Sequence, residues 1–427
     1  MLETPVQKDH KLSAMAEGLV GSEIIKLAGE VKAMIAKGEK VHNLTIGDFN
    51  PDIFPIPQEL KEEIIKAYTN NHTNYPAANG IPELREAVSN YIEKREHLSY
   101  SPDEILISGG ARPLIYAAYQ AIVDPGDTVL FPVPSWNNNH YTHLTHARHV
   151  MIETTAENKF MPTVNEIKPH IESANFIAVC SPLNPTGTTF RKEDLENLCD
   201  LIIEENNRRG ADEKPVYLLY DQIYWMLTFG ETTHYNPVSL RPEMREYTVF
   251  IDGMSKAFSA TGVRVGWAFG PQKLMNKMKA ILSHVGAWSP KAEQVASANY
   301  LNQIDNVSNF VTEIKSKIDA RLNACYDGFK SLNNKGYKVD AIAPEAAMYL
   351  TVKFDLKGKT TPEGKILTST EDVTDYILKV GKLAIVPFYA FGADRNSSWY
   401  RLSVGTLSME AVEDIFNNLD SALSKLS

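Results

Sequence analysis

The sequence has few cysteines: Cys180, Cys199 and Cys325 are the three in 427 residues. Three cysteines are few, and their number is odd, so they do not form the disulfide framework of a small secreted protein. We therefore expect a reducing compartment. No stretch approaches the roughly 18 apolar residues that a membrane-spanning helix needs, and the first residues lack the apolar segment of a signal peptide. The sequence therefore predicts a cytoplasmic protein that does not enter a membrane.

Clustered positive charge is also lacking. The chain has 43 basic and 53 acidic residues, a net charge of −10, and no run rich in lysine and arginine. Because binding to a phosphate backbone depends on clustered cations, we expect no nucleic-acid partner.

Four histidines recur at every third position: His140, His143, His146 and His149. A spacing of three drifts around an α-helix, so the four rings do not share one site. No carboxylate lies among them to complete a set of metal ligands. The spacing predicts a partly exposed helix surface, and we expect no metal ion.

Short apolar runs alternate with longer amphipathic segments. The runs are rich in Val, Ile, Phe and Tyr and lie at 104–108, 128–132, 175–180, 216–221, 247–252 and 263–270. Since they lack the polar alternation of half-exposed strands, they predict buried strands of a largely parallel sheet with helices between them. Long helices are predicted for residues 23–36 and 290–332.

The chain is too long for one simple core, so two domains are expected. We predict an α/β fold whose large domain, residues 51–320, has a mostly parallel sheet with helices on both faces. Strand-like runs return near residues 346–355 and 399–405, and the helix at 23–36 can pack with them. Residues 1–50 and 321–427 are therefore predicted to form a small, discontinuous α+β domain.

Asp221 and Lys256 are the first candidates for chemistry. Asp221 closes an apolar run, which puts its carboxylate at the strand end where open α/β sheets bind ligands. A lone lysine is usually a solvated charge, but Ser255 and Phe258 beside Lys256 indicate a packed loop. A desolvated lysine near other cations has a lowered pKa and can form a Schiff base. A buried carboxylate can keep a pyridine nitrogen protonated.

Residues Gly110, Ala111 and Arg112 lie where a predicted strand turns into a helix. Backbone N–H groups at a helix N-terminus converge on one point and bind anions. The turn therefore predicts a phosphate site, although glycine turns also occur for purely geometric reasons.

Four motifs follow in a particular order: SPLNPTG (181–187), DQIY (221–224), SKAFSATGVRVGW (255–267) and YRLS (400–403). In order and spacing they resemble the motifs of fold-type I, class I and II aminotransferases, with bacterial aspartate aminotransferases closest. The resemblance extends over roughly residues 13–420. It implies an aminotransferase of the 2.6.1 type whose cofactor is pyridoxal 5′-phosphate (PLP).

At matching positions, the resemblance implies roles around the cofactor ring. Lys256 forms the Schiff base with PLP and later moves the proton. Asp221 pairs with the ring nitrogen, and Asn184 and Tyr224 donate hydrogen bonds to the phenolic oxygen. Trp136 stacks on the ring and, with Asn184, also faces the substrate.

The resemblance also implies roles for groups farther from the ring. Arg264 binds the cofactor phosphate, Arg401 binds the substrate α-carboxylate, and the backbone of Gly47 approaches that carboxylate. Tyr75 reaches the phosphate of a neighbouring subunit, which implies a homodimer with shared active sites.

Several positions depart from the family pattern. Leu183 replaces a usual asparagine and Gln222 a common glutamate, and neither is expected to touch PLP. Gly253 replaces a frequent phosphate-binding serine, so Ser255 or a backbone amide is expected to take over that contact. Phe388 stands where glycine is common, and we expect it near the substrate mouth.

Arg112 bears on the substrate. It aligns with a lysine that close aspartate-using relatives use for the distal carboxylate, and an arginine keeps the charge and adds bidentate geometry. We therefore favour aspartate or glutamate as the amino donor, with 2-oxoglutarate or oxaloacetate as acceptor. Alternatively, Arg112 stabilises the turn or pairs with a surface acid.

Three other functions stay open. Phe388, Tyr389 and Phe391 would suit an aminotransferase for aromatic or branched side chains. A PLP lyase or decarboxylase on the same fold is the second, because the cofactor site does not decide which bond at Cα breaks. The third is a PLP-binding sensor without catalysis, against which Lys256 and Arg401 argue.

Overall fold

The computed structural model describes residues 12–19, 21 and 23–427. In this part of the chain the α-helices are α1 (Ala14–Glu17), α2 (Glu23–Ala36), α3 (Gln58–Thr69), α4 (Pro82–Glu96), α5 (Ala111–Ile122), α6 (Asn138–Leu144), α7 (Val164–Ile167), α8 (Lys192–Arg209), α9 (Pro237–Leu240), α10 (Gln272–Val285), α11 (Lys291–Leu301), α12 (Ile304–Asn334), α13 (Thr370–Lys379) and α14 (Glu410–Leu423). The strands are β1 (His42–Asn43), β2 (Ile105–Ser108), β3 (Thr128–Val133), β4 (Arg148–Glu153), β5 (Ala174–Cys180), β6 (Tyr217–Asp221), β7 (Thr248–Gly253), β8 (Gly266–Phe269), β9 (Val339–Ala341), β10 (Tyr349–Phe354), β11 (Leu383–Ala384), β12 (Val386–Pro387) and β13 (Trp399–Ser403).

A seven-stranded sheet has the strand order β2-β8-β7-β6-β5-β3-β4. Its strands are parallel except β8, which runs antiparallel to both β2 and β7. In β6, Leu218 and Tyr220 belong to one hydrophobic core and Leu219 to another, because successive side chains point to opposite faces. Helices α4, α8 and α11 contribute to the first core, and α5 and α10 to the second. The predicted parallel sheet with helices on both faces is confirmed.

The carboxyl ends of β2, β3, β5, β6 and β7 meet at one edge of this sheet, since these strands all run in the same direction. Open α/β sheets bind their ligands at that edge. Asp221 is the last residue of β6, and Gly110, Trp136, Asn184 and Lys256 each follow one of the other four strands within four residues. The fold thus gathers residues that are far apart in the sequence.

A second, antiparallel sheet has the order β12-β13-β10-β9, and β1 pairs with β11 in parallel. From Ile314 onward, α12 packs with β10, α13 and α14 in a separate core. A small α+β unit therefore accompanies the large sheet, as predicted. The limits at residues 50 and 320 remain a proposal, and α12 runs unbroken through residue 320.

Two local predictions are wrong. Residues 290–332 form two helices, because α11 ends at Leu301 and α12 begins at Ile304. The four histidines do not share a helix: only His140 and His143 lie in α6, whereas His149 lies in the edge strand β4. The described part of the chain contains no cluster of His, Cys, Asp and Glu side chains suited to a metal ion, and none of its helices is long and apolar enough to cross a membrane.

Candidate active site

A cavity of about 690 Å³ opens at the carboxyl edge of the large sheet. The predicted site residues that line it are Gly47, Ala111, Arg112, Trp136, Asn184, Asp221, Tyr224, Ser255, Lys256, Arg264 and Arg401. Gly110, also predicted, is the buried residue just before α5. The edge of the large sheet, strands β10 and β13, and the segment 45–48 after β1 contribute most of this lining.

Lys256 follows β7 in a buried loop and reaches into the cavity. Its Nζ donates a hydrogen bond of 2.7 Å to the carbonyl oxygen of Gly47. Burial lowers the pKa of Lys256 to about 8; the Asp48 carboxylate opposes this shift and three nearby guanidinium groups add to it. A lysine with such a pKa is partly neutral at physiological pH, as a nucleophile or a base must be.

Asp221 presents its carboxylate to the cavity from the end of β6. It accepts a hydrogen bond of 3.1 Å from the backbone N–H of Ile223. Burial raises the pKa of Asp221 to about 6, against the lowering effects of that bond and of Lys256. Behind it, the side-chain amide of Gln222 is fully buried and donates to both carboxylate oxygens of Glu96, at 2.9 and 2.8 Å. Gln222 faces away from the cavity, so this departure from glutamate leaves the lining unchanged.

Arg401 is buried in β13 among neutral acceptors. It donates to Oδ1 of Asn184 at 2.9 Å and to the carbonyl oxygen of Thr45 at 2.6 Å. Its Nε is buried without a partner, and within the described residues no carboxylate forms an ion pair with it. The charge of Arg401 is therefore available to an anionic ligand.

Gly47 lets the backbone approach this group closely. A Cβ atom at position 47 would lie 2.9 Å from the Tyr349 hydroxyl oxygen and 3.5 Å from Nη1 of Arg401. A larger residue would thus displace the Tyr349 hydroxyl and crowd Arg401, which explains why glycine suits this position.

Arg264 lies against the N-terminus of α5. Its guanidinium donates to the carbonyl oxygens of Thr261 and Gly109 at 2.6 and 2.8 Å. Gly110 has a φ of 97°, and a Cβ there would lie 2.2 Å from Nη2 of Arg264. A guanidinium beside the free N–H groups of a helix start can bind an anion, which is the role that the strand-turn-helix pattern predicts for this turn.

Gly253 has no room for a side chain. A Cβ at this position would lie 2.8 Å from both Cα of Gly266 and the carbonyl oxygen of Val265. Gly266 is itself so close to Gly110 that its own Cβ would lie 2.5 Å from the carbonyl carbon of that residue. Three backbones meet at this glycine corner, which explains the missing serine, and Ser255 nearby lines the cavity.

Arg112 is exposed at the cavity mouth, where its guanidinium carbon lies 5.3 Å from the centre of the Trp136 ring. No acid forms an ion pair with it in the described part of the chain. The alternative that Arg112 pairs with a surface acid thus finds no support.

Phe388 is not at the substrate mouth, contrary to expectation. It is fully buried and packs edge-on against Phe160, with ring centroids 5.1 Å apart, outside the cavity lining. Phe391 is nearer the site. Its ring centre lies 4.9 Å from the guanidinium carbon of Arg401 and 6.4 Å from the centre of the Trp136 ring. The short 3-10 turn at 388–391 points the first aromatic ring into the core and brings the last one over Arg401.

Tyr75 lies apart from these groups. It is 82% exposed and packs edge-on against Trp288, with ring centroids 5.2 Å apart. The two residues line a second cavity of about 550 Å³, which shares no lining residue with the first. Within one chain, Tyr75 does not join the cavity that contains Lys256.

The motifs did not reveal two of the groups in the cavity. Tyr349 forms a hydroxyl–hydroxyl hydrogen bond of 2.6 Å with Tyr224, and Asp48 accepts a bond of 2.6 Å from Oγ1 of Thr261. The run AAMYLTVKFD could have indicated Tyr349, because its strand β10 pairs with the YRLS strand that carries Arg401.

Comparison with known proteins agrees with this geometry. Residues 39–419 match the family described as aminotransferase class I and II. The aspartate aminotransferase of Rhizobium meliloti (strain 1021) is 28% identical over 409 residues, 95% of this chain and 94% of the relative. A probable aspartate/prephenate aminotransferase of Rickettsia typhi is 30% identical over 391 residues, 91% of this chain and 93% of the relative.

Solved structures agree as well. The crystal structure of the aspartate aminotransferase from Rhizobium meliloti has a TM-score of 0.89 at 27% identity, covering 98% of this chain and 100% of that one. The Thermus thermophilus aspartate aminotransferase with maleate has a TM-score of 0.84 at 26% identity, covering 97% and 100%. The chain therefore belongs to the class I and II aminotransferases. It is an enzyme that transfers amino groups, in a family that uses PLP.

The residues present fit that cofactor. Asp221 is a half-buried carboxylate with one backbone donor, suited to a protonated ring nitrogen. The anion site at Gly110 and Arg264 suits a phosphate, and Lys256 lies in the same cavity with a lowered pKa.

Proposed function

We propose that this enzyme binds PLP and transfers the amino group of aspartate or glutamate to 2-oxoglutarate or oxaloacetate. The main support is that one cavity contains Lys256, Asp221 and three guanidinium groups, those of Arg112, Arg264 and Arg401. A phosphate and two substrate carboxylates would satisfy these three cations. The aspartate aminotransferases among the relatives support the same choice.

The proposed cofactor contacts follow from the positions of the side chains. Arg264 and the start of α5 at Gly110, Ala111 and Arg112 hold the phosphate, with Ser255 beside it. Asp221 keeps the ring nitrogen protonated. When bound, PLP supplies an electron sink for negative charge at the substrate Cα.

The remaining lining residues act on the ring and the substrate. Asn184 and Tyr224 donate hydrogen bonds to the phenolic oxygen, and Trp136 covers the ring face. Arg401 binds the α-carboxylate next to the backbone of Gly47. Because Lys256 has a lowered pKa, its amine can accept the proton of Cα and return it to another carbon.

A panel of amino donors with 2-oxoglutarate as acceptor tests the substrate. We expect the highest kcat/KM for aspartate or glutamate. The second candidate is an aromatic donor, which the Trp136 ring in the cavity lining favours. A higher kcat/KM for phenylalanine or tyrosine than for aspartate would replace our proposal by that one.

Replacing Arg112 by leucine should lower kcat/KM for aspartate and glutamate roughly 10- to 150-fold, with little effect on alanine. The reason is the loss of a charged hydrogen bond, about 1.5–3 kcal/mol, to the distal carboxylate. Arg112→Lys should recover part of the loss, because charge returns without the bidentate fork. Steady-state kinetics with the three donors measure the difference.

The matched control for this prediction is Arg148→Leu, since Arg148 is exposed on β4 and does not line the cavity. Equal losses for all donors in Arg112→Leu, together with a lower melting temperature, would show that Arg112 only stabilises the start of α5. The aminotransferase assignment would survive that result.

We also propose a homodimer in which Tyr75 reaches the phosphate of the other subunit. The large exposure of this tyrosine, away from its own cavity, supports the proposal. Co-expression of Lys256→Ala with Tyr75→Asp would then produce hybrid dimers in which one site has neither defect. With random mixing, activity should recover to about a quarter of the wild-type value, although each variant alone is inactive.

Two differently tagged subunits, purified in tandem, confirm that the hybrids exist. Hybrids without activity would show that each subunit has a complete site of its own.

A further inference from the structure

Tyr349 is buried beside the proposed cofactor site, and none of the motifs contains it. It is the first residue of β10 and 1% exposed. Its hydroxyl oxygen lies 2.6 Å from that of Tyr224, and the two rings meet edge to face with centroids 5.5 Å apart. The guanidinium carbon of Arg401 lies 4.8 Å from the centre of the Tyr349 ring. One side chain thus contacts residues proposed to bind the cofactor ring and the substrate carboxylate.

The surrounding backbone holds Tyr349 in place. Gly187, the glycine of NPTG, has a φ of 71°, and a Cβ there would lie 2.3 Å from the carbonyl oxygen of Tyr349. The N–H of Ala346 donates to the carbonyl oxygen of Gly187 at 2.9 Å. On the other side, Tyr349 pairs with Ser403 of β13. Two packed segments therefore hold the backbone from which the Tyr349 side chain extends.

We infer that Tyr349 is a positioning residue, which donates its hydroxyl proton to Tyr224 so that the proton of Tyr224 points at the cofactor's phenolic oxygen. The inference rests on the proposed function, in which Tyr224 donates to that oxygen. Each phenol has only one proton to donate. If Tyr224 donates to the cofactor, the short bond between the two hydroxyls has to be donated by Tyr349.

The charges around the pair favour this direction. Burial raises the pKa of both phenols, and that of Tyr224 rises well above its ordinary value. Arg401 opposes the rise most strongly at Tyr349, where the cation lies over the ring. This cation favours donation by the Tyr349 hydroxyl, because donation places partial negative charge on the Tyr349 oxygen. A bond donated to Tyr224 polarises its O–H and strengthens the next bond in the chain.

The test is a pH titration of the visible absorbance of the holoenzyme, which reports the pKa of the nitrogen that links Lys256 to PLP. A hydrogen bond to the phenolic oxygen withdraws electron density from the linking nitrogen and so lowers its pKa. Loss of this hydrogen bond therefore raises the pKa of that nitrogen. We expect Tyr224→Phe to raise it by about 1–2 units, the value of a hydrogen bond to a charged group.

Tyr349→Phe should raise the same pKa by roughly 0.1–0.6 unit, since cooperativity contributes about 10–30% of the bond it strengthens. In the Tyr224→Phe background the further change Tyr349→Phe should have no effect, because the chain is already interrupted. The matched control is Tyr400→Phe. Tyr400 is fully buried in β13, the strand that pairs with β10, and its hydroxyl donates to the carbonyl oxygen of Thr370. It should leave the spectroscopic pKa unchanged.

The sign of the shift decides between the two directions of the bond. If Tyr349 instead accepts from Tyr224, its removal frees the Tyr224 proton for the cofactor, and the pKa falls. A fall, no change, or an equal rise in the Tyr224→Phe background would each overturn the inference. If Tyr224→Phe itself causes no shift, the proposed cofactor contact of Tyr224 is wrong, and the inference fails with it. A shift in Tyr224→Phe but not in Tyr349→Phe removes only the role of Tyr349.

Discussion

Replacing Lys256 by alanine should lower the rate of transamination by about four orders of magnitude or more. Such a loss is the upper range for one positioned acid–base group, and here the covalent link to the cofactor is lost as well. The lowered pKa of Lys256, caused by its burial, motivates the prediction. The visible absorbance of the lysine-linked cofactor should disappear, while PLP still binds through the other contacts.

Two controls accompany this variant. Lys256→Arg keeps a cation but not an amine that forms a Schiff base, so it should be as inactive as Lys256→Ala. Borohydride reduction of the wild-type holoenzyme followed by peptide mapping should label Lys256. A label on another lysine would remove Lys256 from its proposed role.

Asp221→Asn should slow turnover by roughly 10²- to 10⁴-fold with PLP still bound. The estimate follows from the 3–5 kcal/mol lost when one partner of a buried charge pair is removed, at about 1.4 kcal/mol per factor of ten. The pair here is the Asp221 carboxylate and the protonated ring nitrogen. Single-turnover kinetics would place the loss in the proton-transfer step.

A matched control is Asp252→Asn. Asp252 is also buried near the end of a strand, where its carboxylate accepts from Nε1 of Trp225 at 2.9 Å, but it does not line the cavity. Its replacement should reduce stability more than turnover. Equal losses of kcat in the two variants would mean that Asp221 has only a structural role.

Much of the large sheet was predictable, because strands buried on both faces need continuous apolar runs. Strand β4 was missed, since only Ile152 in it is buried and four of its residues are exposed, as an edge position allows. The break between α11 and α12 was missed for a related reason. Residues Asn302 and Gln303 interrupt the helix without a glycine or a proline, so the sequence gives no local signal.

In the candidate site, too, some residues could be predicted from the sequence and others could not. Residues within motifs, such as Asp221 and Arg401, could be placed because each motif lies within a strand or at its end. The contact of Tyr224 with Tyr349 joins positions 125 apart in the chain. It depends on how the small unit packs on the large one, which a single sequence does not specify. The direction of Phe388 was likewise decided by tertiary packing, with a short turn directing it into the core.

The glycine corner has a consequence for how this enzyme can change in evolution. A side chain at 253 would overlap the backbone at Val265 and Gly266, and a side chain at 266 would overlap the backbone of Gly110, which begins the proposed anion site. A phosphate-binding serine at 253 is therefore not one substitution away, because the intermediate with serine alone would overlap its neighbours. The order in which substitutions occur matters at this corner. As long as the three glycines remain together, selection on phosphate binding has to act on Arg264, Ser255 and the first turn of α5.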